Sequence, residues 1–226
     1  MRNDDIGVIF MNRYKDFFKE SISEYGLLLS DEKWECLCNF YKMLLEKNKV
    51  MNLTAITDPF DVVVKHFLDS LSLCSVFDFT ECSSVVDVGT GAGFPGIVLK
   101  IFFPEINFVL VDSLGKRVSF LEDVISEISL KNICAIHGRA EDLGHDLKYR
   151  EQFDLCVSRA VANIATLCEY CIPFVKVGGS FIAYKSGNTD DDPEKFEKAV
   201  NELGGEKYFS KKFVLNGEFD RSFICI

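Results

Sequence analysis

The sequence has few of the features that mark membrane, secreted or metal-binding proteins. No stretch of 18 uncharged apolar residues occurs, and the first 20 residues lack the basic segment and apolar run of a signal peptide. We therefore predict a cytoplasmic protein without a membrane span. Only three histidines are present, and Cys36 with Cys38 has no second ligand pair, so we predict no metal site.

Basic residues are also scarce, since 25 Lys and Arg stand against 35 Asp and Glu and the net charge is −10. Nucleic-acid-binding proteins usually carry a basic surface, because neutralised phosphates supply most of the affinity. Taken alone, the acidity argues against an RNA or DNA partner. It is not decisive, because local patches meet the phosphates. The basic residues that could gather on one face are Lys47, Lys49, Lys65, Lys116, Arg117, Arg139, Arg159, Lys176 and Lys185.

Cysteine is not scarce, with nine residues, but its pattern indicates no reactive site. Without a signal peptide, reduced thiols are the better interpretation. Cys168 and Cys171 form a C-x-x-C pair inside an apolar helical run. A redox pair would lie at a helix N-terminus, where the dipole lowers the pKa of the thiol. We therefore predict that these cysteines are inert packing residues.

The first 80 residues have helical patterns. We predict helices at residues 6–25, from a start near Ser30, and from Asp58 as N-cap with Pro59 at the first helical position. Residues 48–55 are too polar and branched to continue the second helix. Residues 1–80 are therefore predicted to form a helical region of their own.

From residue 83 onward, strands alternate with helices. Short apolar runs predict strands at residues 85–88, 107–111, 133–136, 153–157 and 179–184. This spacing predicts right-handed βαβ units on a mostly parallel sheet, with ligands at the carboxyl ends of the strands. Two last strand-like runs, 208–215 and 218–226, are joined by Asn216-Gly217, a strong hairpin signal. We predict an α/β domain over residues 81–226.

The first predicted strand runs into a glycine-rich loop, VVDVGTGAGFPG at residues 85–96. Its small residues let a ligand approach the backbone and the next helix. Asp112 closes the second strand about 20 residues on, where an acidic residue commonly binds ribose hydroxyls. The glycine spacing by itself fits a nicotinamide dinucleotide as well as S-adenosylmethionine. A nicotinamide-dependent oxidoreductase is therefore one alternative.

With Asp87 ahead of it, the loop resembles the first motif of class I S-adenosylmethionine-dependent methyltransferases, a Rossmann-like fold whose seven-stranded sheet ends in an antiparallel hairpin. The chain also resembles the RsmG (GidB) family, bacterial enzymes that methylate guanine N7 in 16S ribosomal RNA. The segments that carry this resemblance, in order, are NKVMNLTAITDPFDVVVKHFLDSL (48–71), VDSLGKRVSFLEDV (111–124), GRAEDL (138–143) and VSRAVA (157–162). The resemblance implies S-adenosyl-L-methionine as cofactor and 16S ribosomal RNA or the 30S subunit as partner, and we predict a monomer.

The resemblance further implies which residues bind the cofactor: Gly89, Gly91, Phe94, Asp112, Ala140, Glu141 and Arg159. Asp112 would hold the ribose, and Ala140 with Glu141 would border the adenine. Phe94 would form a wall against the amino-acid end of the methyl donor, with the helix N-terminus at Gly96 facing its carboxylate.

Arg159 and Lys185, both expected just after strands, are the predicted catalytic residues, in contact with RNA phosphate or guanine O6. A surface ion pair for Arg159 and a solvated loop position for Lys185 are the alternatives. For Glu141 the alternative is a charge that stabilises a helix N-terminus.

Guanine N7 has an in-plane lone pair and no proton, so direct in-line attack needs no general base and the protein acts through proximity and orientation. An RNA-binding module without catalysis is a further alternative. His66 and Asp69 lie three residues apart on one helical face, with Asn52 and Thr54 in the preceding loop. Such a cluster usually locks a helix to its neighbour by hydrogen bonds, and contact with the donor site or RNA is the alternative.

Overall fold

Among the described residues, α-helices and a short 3-10 helix, Ser72–Ser75, precede the first strand. The computed structural model describes residues 11–159, 163–186, 193–206 and 208–226, so residues 6–10 of the first predicted helix and residues 160–162 of the VSRAVA motif lie outside the described residues. Helix α1 spans Lys15–Ser23 and α2 spans Asp31–Met51. Helix α3 has α-helical turns at both ends and a π-helical segment between them, at Pro59–Val62, Val63–Leu68 and Asp69–Leu71.

The predicted helix starts are confirmed by side-chain caps. The Ser30 side chain accepts a hydrogen bond from the Lys33 amide at the start of α2. The Asp58 carboxylate accepts from the amides of Phe60 and Asp61 at the start of α3. Each cap satisfies N–H groups that have no partner within the helix.

Helix α2 extends further than the sequence predicts, because Asn48 to Met51 belong to it. The Asn48 side chain exchanges two hydrogen bonds with the backbone of Thr54, at 2.9 and 3.0 Å, so its polar groups support the helix end. The helix stops at Asn52, whose φ of 40° is left-handed, a conformation that asparagine tolerates.

Seven strands form a single sheet in the order β3-β2-β1-β4-β5-β7-β6. The first five are parallel, and β7 runs antiparallel to both β5 and β6. Their bounds are β1 Ser84–Val88, β2 Asn107–Asp112, β3 Ile133–His137, β4 Phe153–Arg159, β5 Val175–Ser186, β6 Phe209–Leu215 and β7 Phe219–Cys225. Asn216 and Gly217 both have positive φ in the last turn, so the predicted hairpin is confirmed.

The α-helices described among the strands pack on the two faces of the sheet: α4 Gly96–Phe102, α5 Gly115–Glu127, α6 Ala140–Leu143, α7 Ile164–Cys171 and α8 Pro193–Glu202. One buried cluster joins α1, α2 and α3 with α4, α5 and one face of the sheet. The other covers the opposite face with α7 and α8 and includes Cys168 and Cys171, which are buried free thiols as predicted. The helical region thus shares a core with the sheet, and a domain boundary near residue 80 stays a prediction.

Within the described ranges, no helix is both long enough and apolar enough to cross a membrane. Over the same ranges, His, Cys, Asp and Glu side chains form no group of three or more that could hold a metal ion.

Candidate active site

The glycine loop leaves space for a ligand at one position and needs glycine for packing at another. Gly89, Gly91 and Gly93 have φ of 71°, 61° and 97°, which side chains strongly disfavour. A Cβ on Gly93 would come within 2.7 Å of the Ile97 side chain. A Cβ on Gly91 would meet nothing nearer than the Gly89 carbonyl oxygen at 3.9 Å, so the backbone there is open to close approach.

Asp87 lies fully buried in β1, directly behind this loop. Its Oδ2 accepts hydrogen bonds from Thr90 Oγ1 at 2.7 Å and from the Gly96 amide at 2.8 Å, whereas Oδ1 has no partner among the described residues. Burial raises the pKa of Asp87 to about 6, although the bonds from Thr90 and Gly96 oppose that rise.

The expected role of the helix start at Gly96 is wrong. The sequence predicts that this helix start faces the carboxylate of a methyl donor, but the amide donates to Asp87 instead. A Cβ on Gly96 would lie 2.8 Å from Asp87 Oδ2 and still closer to Leu110, so glycine is needed here to let α4 approach the sheet. The carboxylate that Gly96 faces is part of the chain.

Asp112 is the last residue of β2 and is 3% exposed. Its Oδ2 accepts from the Gly91 amide at 2.9 Å and from Arg117 at 3.4 Å, and its Oδ1 accepts from the Leu114 amide at 2.9 Å. Each carboxylate oxygen has two lone-pair positions, so one position on Oδ1 remains to accept a bond from a ribose hydroxyl. The structure thus places Asp112 against the glycine loop, as the sequence predicts.

Arg159 ends β4, and one stretch of α3 holds its guanidinium. Its Nη1 donates to the Lys65 carbonyl at 3.1 Å and to Asp69 Oδ2 at 3.0 Å, and its Nη2 lies 3.0 Å from His66 Nδ1. Lys65 and His66 belong to the π-helical segment, a feature that is frequent at functional sites. The guanidinium also lies 5.2 Å from the centre of the Phe94 ring.

Arginine can only donate, so His66 Nδ1 must accept and the proton resides on Nε2. Nε2 lies 3.0 Å from Thr54 Oγ1, which therefore accepts from the ring. Burial, and then the charge of Arg159, lower the pKa of His66 to about 3, so the ring is neutral near pH 7. The predicted lock between α3 and its neighbours through His66, Asp69 and Thr54 is confirmed.

Phe94 is 3% exposed and packs against His66, with the two ring centres 4.3 Å apart and the planes 15° apart. Phe40 covers it further at 5.1 Å. The ring therefore belongs to the wall below the glycine loop and supports both His66 and Arg159. Its contact with a methyl donor stays a prediction.

Arg221, from β7, is a residue that sequence reasoning missed. Its Nε donates to Asp69 Oδ1 at 2.8 Å, so one carboxylate, 4% exposed, binds Arg159 and Arg221 together. The alternation of the strand places Arg221 on the same face as Phe219 and Phe223, both packed on the core. A charged residue on an inward-facing strand position is the signal that could have indicated it.

The remaining predicted residues lie farther along the same edge of the sheet. The Gly138 amide donates to the Asp112 carbonyl at 3.1 Å, which holds the GRAEDL segment beside the ribose position. Ala140 is half-buried and Glu141 is exposed in the first turn of α6. Lys185 lies within β5, paired with Ser222, and not in the loop after the strand as expected.

These residues fit S-adenosylmethionine. The open backbone at Gly91 and the acidic Asp112 lie together where β1 and β2 end, which is where nucleotide-like ligands bind in such sheets. The strand order, the terminal antiparallel hairpin and this site together define a class I S-adenosylmethionine-dependent methyltransferase.

Solved structures show the same fold. One is SibL, an S-adenosylmethionine-dependent methyltransferase in its apo form, with a TM-score of 0.54, 18% identity, and 70% of this chain and 54% of that chain covered. Another is a SAM-dependent methyltransferase from Aquifex aeolicus, with a TM-score of 0.54, 14% identity, and 77% and 96% covered.

The family is shown by sequence. The model for GidB, rRNA small subunit methyltransferase G, matches residues 33–224, and the chain belongs to this family. It is 47% identical to ribosomal RNA small subunit methyltransferase G of Lachnoclostridium phytofermentans, over 92% of this chain and 87% of the relative. It is 49% identical to the protein of the same name from Thermoanaerobacter sp. strain X514, over 86% and 81%. The predicted family, fold, methyltransferase activity and cofactor S-adenosyl-L-methionine are confirmed.

Proposed function

We propose that the protein transfers a methyl group from S-adenosylmethionine to N7 of a guanosine in 16S ribosomal RNA, as a monomer acting in the cytoplasm. The observation that carries the proposal is the arrangement of the three central strands. The glycine loop follows β1, and Asp112 and Arg159 end the strands on either side of it. A donor site and a substrate-facing cation therefore adjoin at one edge, in a chain of the rRNA methyltransferase family.

The bound cofactor supplies an electrophilic methyl carbon. Asp112 would accept a hydrogen bond from a ribose hydroxyl, and the open backbone at Gly91, with Gly89 before it in the loop, would lie along the donor. Ala140 and Glu141 would border the adenine. The contribution of these residues is orientation, because an aligned lone pair attacks the methyl carbon directly.

Attack by guanine N7 requires no proton transfer, since N7 carries no proton. His66 agrees with this chemistry, because both ring nitrogens are engaged and its pKa of about 3 makes it a poor proton acceptor near neutral pH. A guanidinium that read O6 and N7 together would block the methyl acceptor. Arg159 and Lys185 are therefore proposed to contact phosphate or O6, and the shape of the folded RNA would supply the remaining specificity.

The direct test incubates the protein with S-adenosylmethionine and either 30S particles or naked 16S ribosomal RNA lacking the modification. Nuclease digestion and mass spectrometry of the nucleosides should show N7-methylguanosine. Methylation of a different base or atom would refute the proposal. Donor binding without any methyl transfer would favour the RNA-binding module instead.

Asp112 provides a test of the donor site. Asp112→Ala removes the acceptor for the ribose diol, so the Kd for S-adenosylmethionine should rise by about 10-fold or more in calorimetry, as expected for a lost charged hydrogen bond. Asp123→Ala, which removes an exposed carboxylate on α5, is the matched control and should leave the Kd unchanged. NADH should not bind either protein, and an unaltered Kd in Asp112→Ala would remove Asp112 from the donor site.

A further inference from the structure

The side chains around Asp69 form a cluster of mixed charge at the carboxyl edge of the sheet, the end where the parallel strands finish. The cluster consists of Asp69, His66, Arg159 and Arg221. Arg159 is the last residue of β4, and Arg221 pairs with Ser186, the last residue of β5. The two arginines come from strands separated by β5, and Asp69 on α3 joins them.

The bonding leaves donors on both arginines available. The two Nη1 protons of Arg159 are used by Lys65 and Asp69, and one Nη2 proton is used by His66. Arg221 uses Nε for Asp69 and one Nη1 proton for the Asp220 carbonyl. A guanidinium has five N–H donors, so two remain on Arg159 and three on Arg221 among the described contacts. The side chains are 17% and 21% exposed, so both remain accessible to a ligand.

A purely structural role explains this arrangement poorly. Burying two guanidiniums and one carboxylate carries a desolvation cost that apolar residues would avoid. The cluster also keeps an excess of one positive charge in a chain whose net charge is −10. Arginine is well suited to phosphate recognition, because its planar fork donates two parallel hydrogen bonds.

We propose that Asp69 is a positioning residue that holds Arg159 and Arg221 side by side as a binding site for the RNA phosphate backbone. This inference rests on the proposed function, because it assumes an RNA substrate. Asp69 touches no substrate and acts through the two arginines. It offsets their mutual repulsion and fixes the direction of their remaining donors.

Asp69→Asn separates positioning from simple charge. Removing a negative charge should strengthen RNA binding if only the charge matters. If Asp69 positions the arginines, the KM for 30S particles should instead rise by about 10-fold, the effect of losing a charged hydrogen bond. The Kd for S-adenosylmethionine should stay within about twofold, because the substitution leaves the glycine loop and its contact with Asp112 unchanged.

Asp61→Asn is the matched control. Asp61 lies on the same helix, makes an ion pair with Lys65 and is 40% exposed, so the substitution changes the net charge equally without touching the cluster. Its KM should equal or fall slightly below that of the wild type. Equal behaviour of Asp69→Asn and Asp61→Asn would overturn the inference.

Arg221→Gln keeps the test decisive even if Asp69→Asn folds poorly, since it retains the Asp69 to Arg159 bond. Its KM should rise, and its slope of log affinity for 16S RNA against log salt should weaken by about 0.7 to 0.9, the loss of one phosphate contact. An unchanged slope and KM would overturn the inference. Absence of methyl transfer by the wild type would instead refute the proposed function, so the two failures are distinguishable.

Discussion

The two ends of the sheet differ in how completely their carboxylates are hydrogen-bonded. At the amino ends of the strands, Asp154 accepts four hydrogen bonds on Oδ2 from Ser83 and Ser84 and makes an ion pair with Lys176. Burial raises the pKa of Asp154, but these partners together outweigh burial and hold it well below its usual range. At the carboxyl ends, one oxygen of Asp87 has no partner among the residues that the structure describes, and burial raises the pKa of Asp87 to about 6.

The contrast indicates that carboxylates at the amino ends of the strands stabilise the fold, whereas those at the carboxyl ends serve the candidate active site. At the amino ends, both oxygens of Asp154 have partners within the protein, and its bonds to Ser84 tie β4 to β1. At the carboxyl edge, Asp87 is incompletely satisfied and Asp69 binds two arginines that still have donors. Residual hydrogen-bonding capacity is costly to the fold. It is concentrated where β1, β2 and β4 meet, at the candidate active site.

Replacing Arg159, at the carboxyl edge of the sheet, should have the largest effect on catalysis. Arg159→Ala removes the guanidinium proposed to meet the substrate, so kcat/KM for 30S particles should fall by about 100-fold, comparable to the loss of an electrostatic stabiliser in other enzymes. Single-turnover methylation measures the loss, and near-UV circular dichroism checks the fold. Arg150→Ala, at a side chain 40% exposed, is the control and should be fully active. Unchanged turnover in Arg159→Ala would leave Arg159 as an ion-pair partner only.

The pH dependence of stability should distinguish Asp87, whose pKa is raised, from Asp154, whose pKa is lowered. Because the pKa of Asp87 rises from 3.8 in the unfolded chain to about 6 in the folded protein, its stabilising contribution is present below pH 3.8 and lost as the pH passes 6. Ionised Asp87 therefore costs on the order of 3 kcal/mol at pH 7.5. Asp87→Asn carries no charge at any pH.

Urea unfolding of wild type and Asp87→Asn at pH 4 and pH 7.5 tests this directly. Between pH 4 and pH 7.5, the unfolding free energy of Asp87→Asn relative to the wild type should increase by about 2 to 3 kcal/mol. Only the wild type must bury a charge at the higher pH. A difference that does not change with pH would show that folding does not raise the pKa of Asp87.

Asp154→Ala should have the smallest expected effect, and it should lower stability without lowering activity. It leaves the Ser83 and Ser84 amides and Lys176 without their acceptor, so unfolding free energy at pH 7.5 should fall by about 2 kcal/mol. The specific activity of the folded enzyme should be unaltered, since Asp154 lies at the opposite end of the strands. Asp123→Ala should lose little stability because its ion pair is exposed. A clear loss of kcat/KM in Asp154→Ala would contradict the separation of the two ends.

Local patterns predicted much of the fold. The caps at Ser30 and Asp58, the glycine loop and the Asn216-Gly217 turn depend on neighbours in sequence, and the structure has them as expected. Helix α2 was predicted too short, since the support that Asn48 receives from Thr54 arises only after the loop folds back. The position of Asp112 also followed from spacing, because the end of a second parallel strand must lie beside the first.

The sequence by itself determined the order of helices and strands, the family and the cofactor, because these depend on local propensity and on motifs whose residues lie close together. Only the tertiary structure decided which side chains form hydrogen bonds and ion pairs at the carboxyl edge. Asp69 meets Arg159 and Arg221 across separations of 90 and 152 residues, and the Gly96 amide donates to Asp87. Such contacts are fixed by how α3 and the terminal hairpin pack on the sheet, which no local pattern encodes.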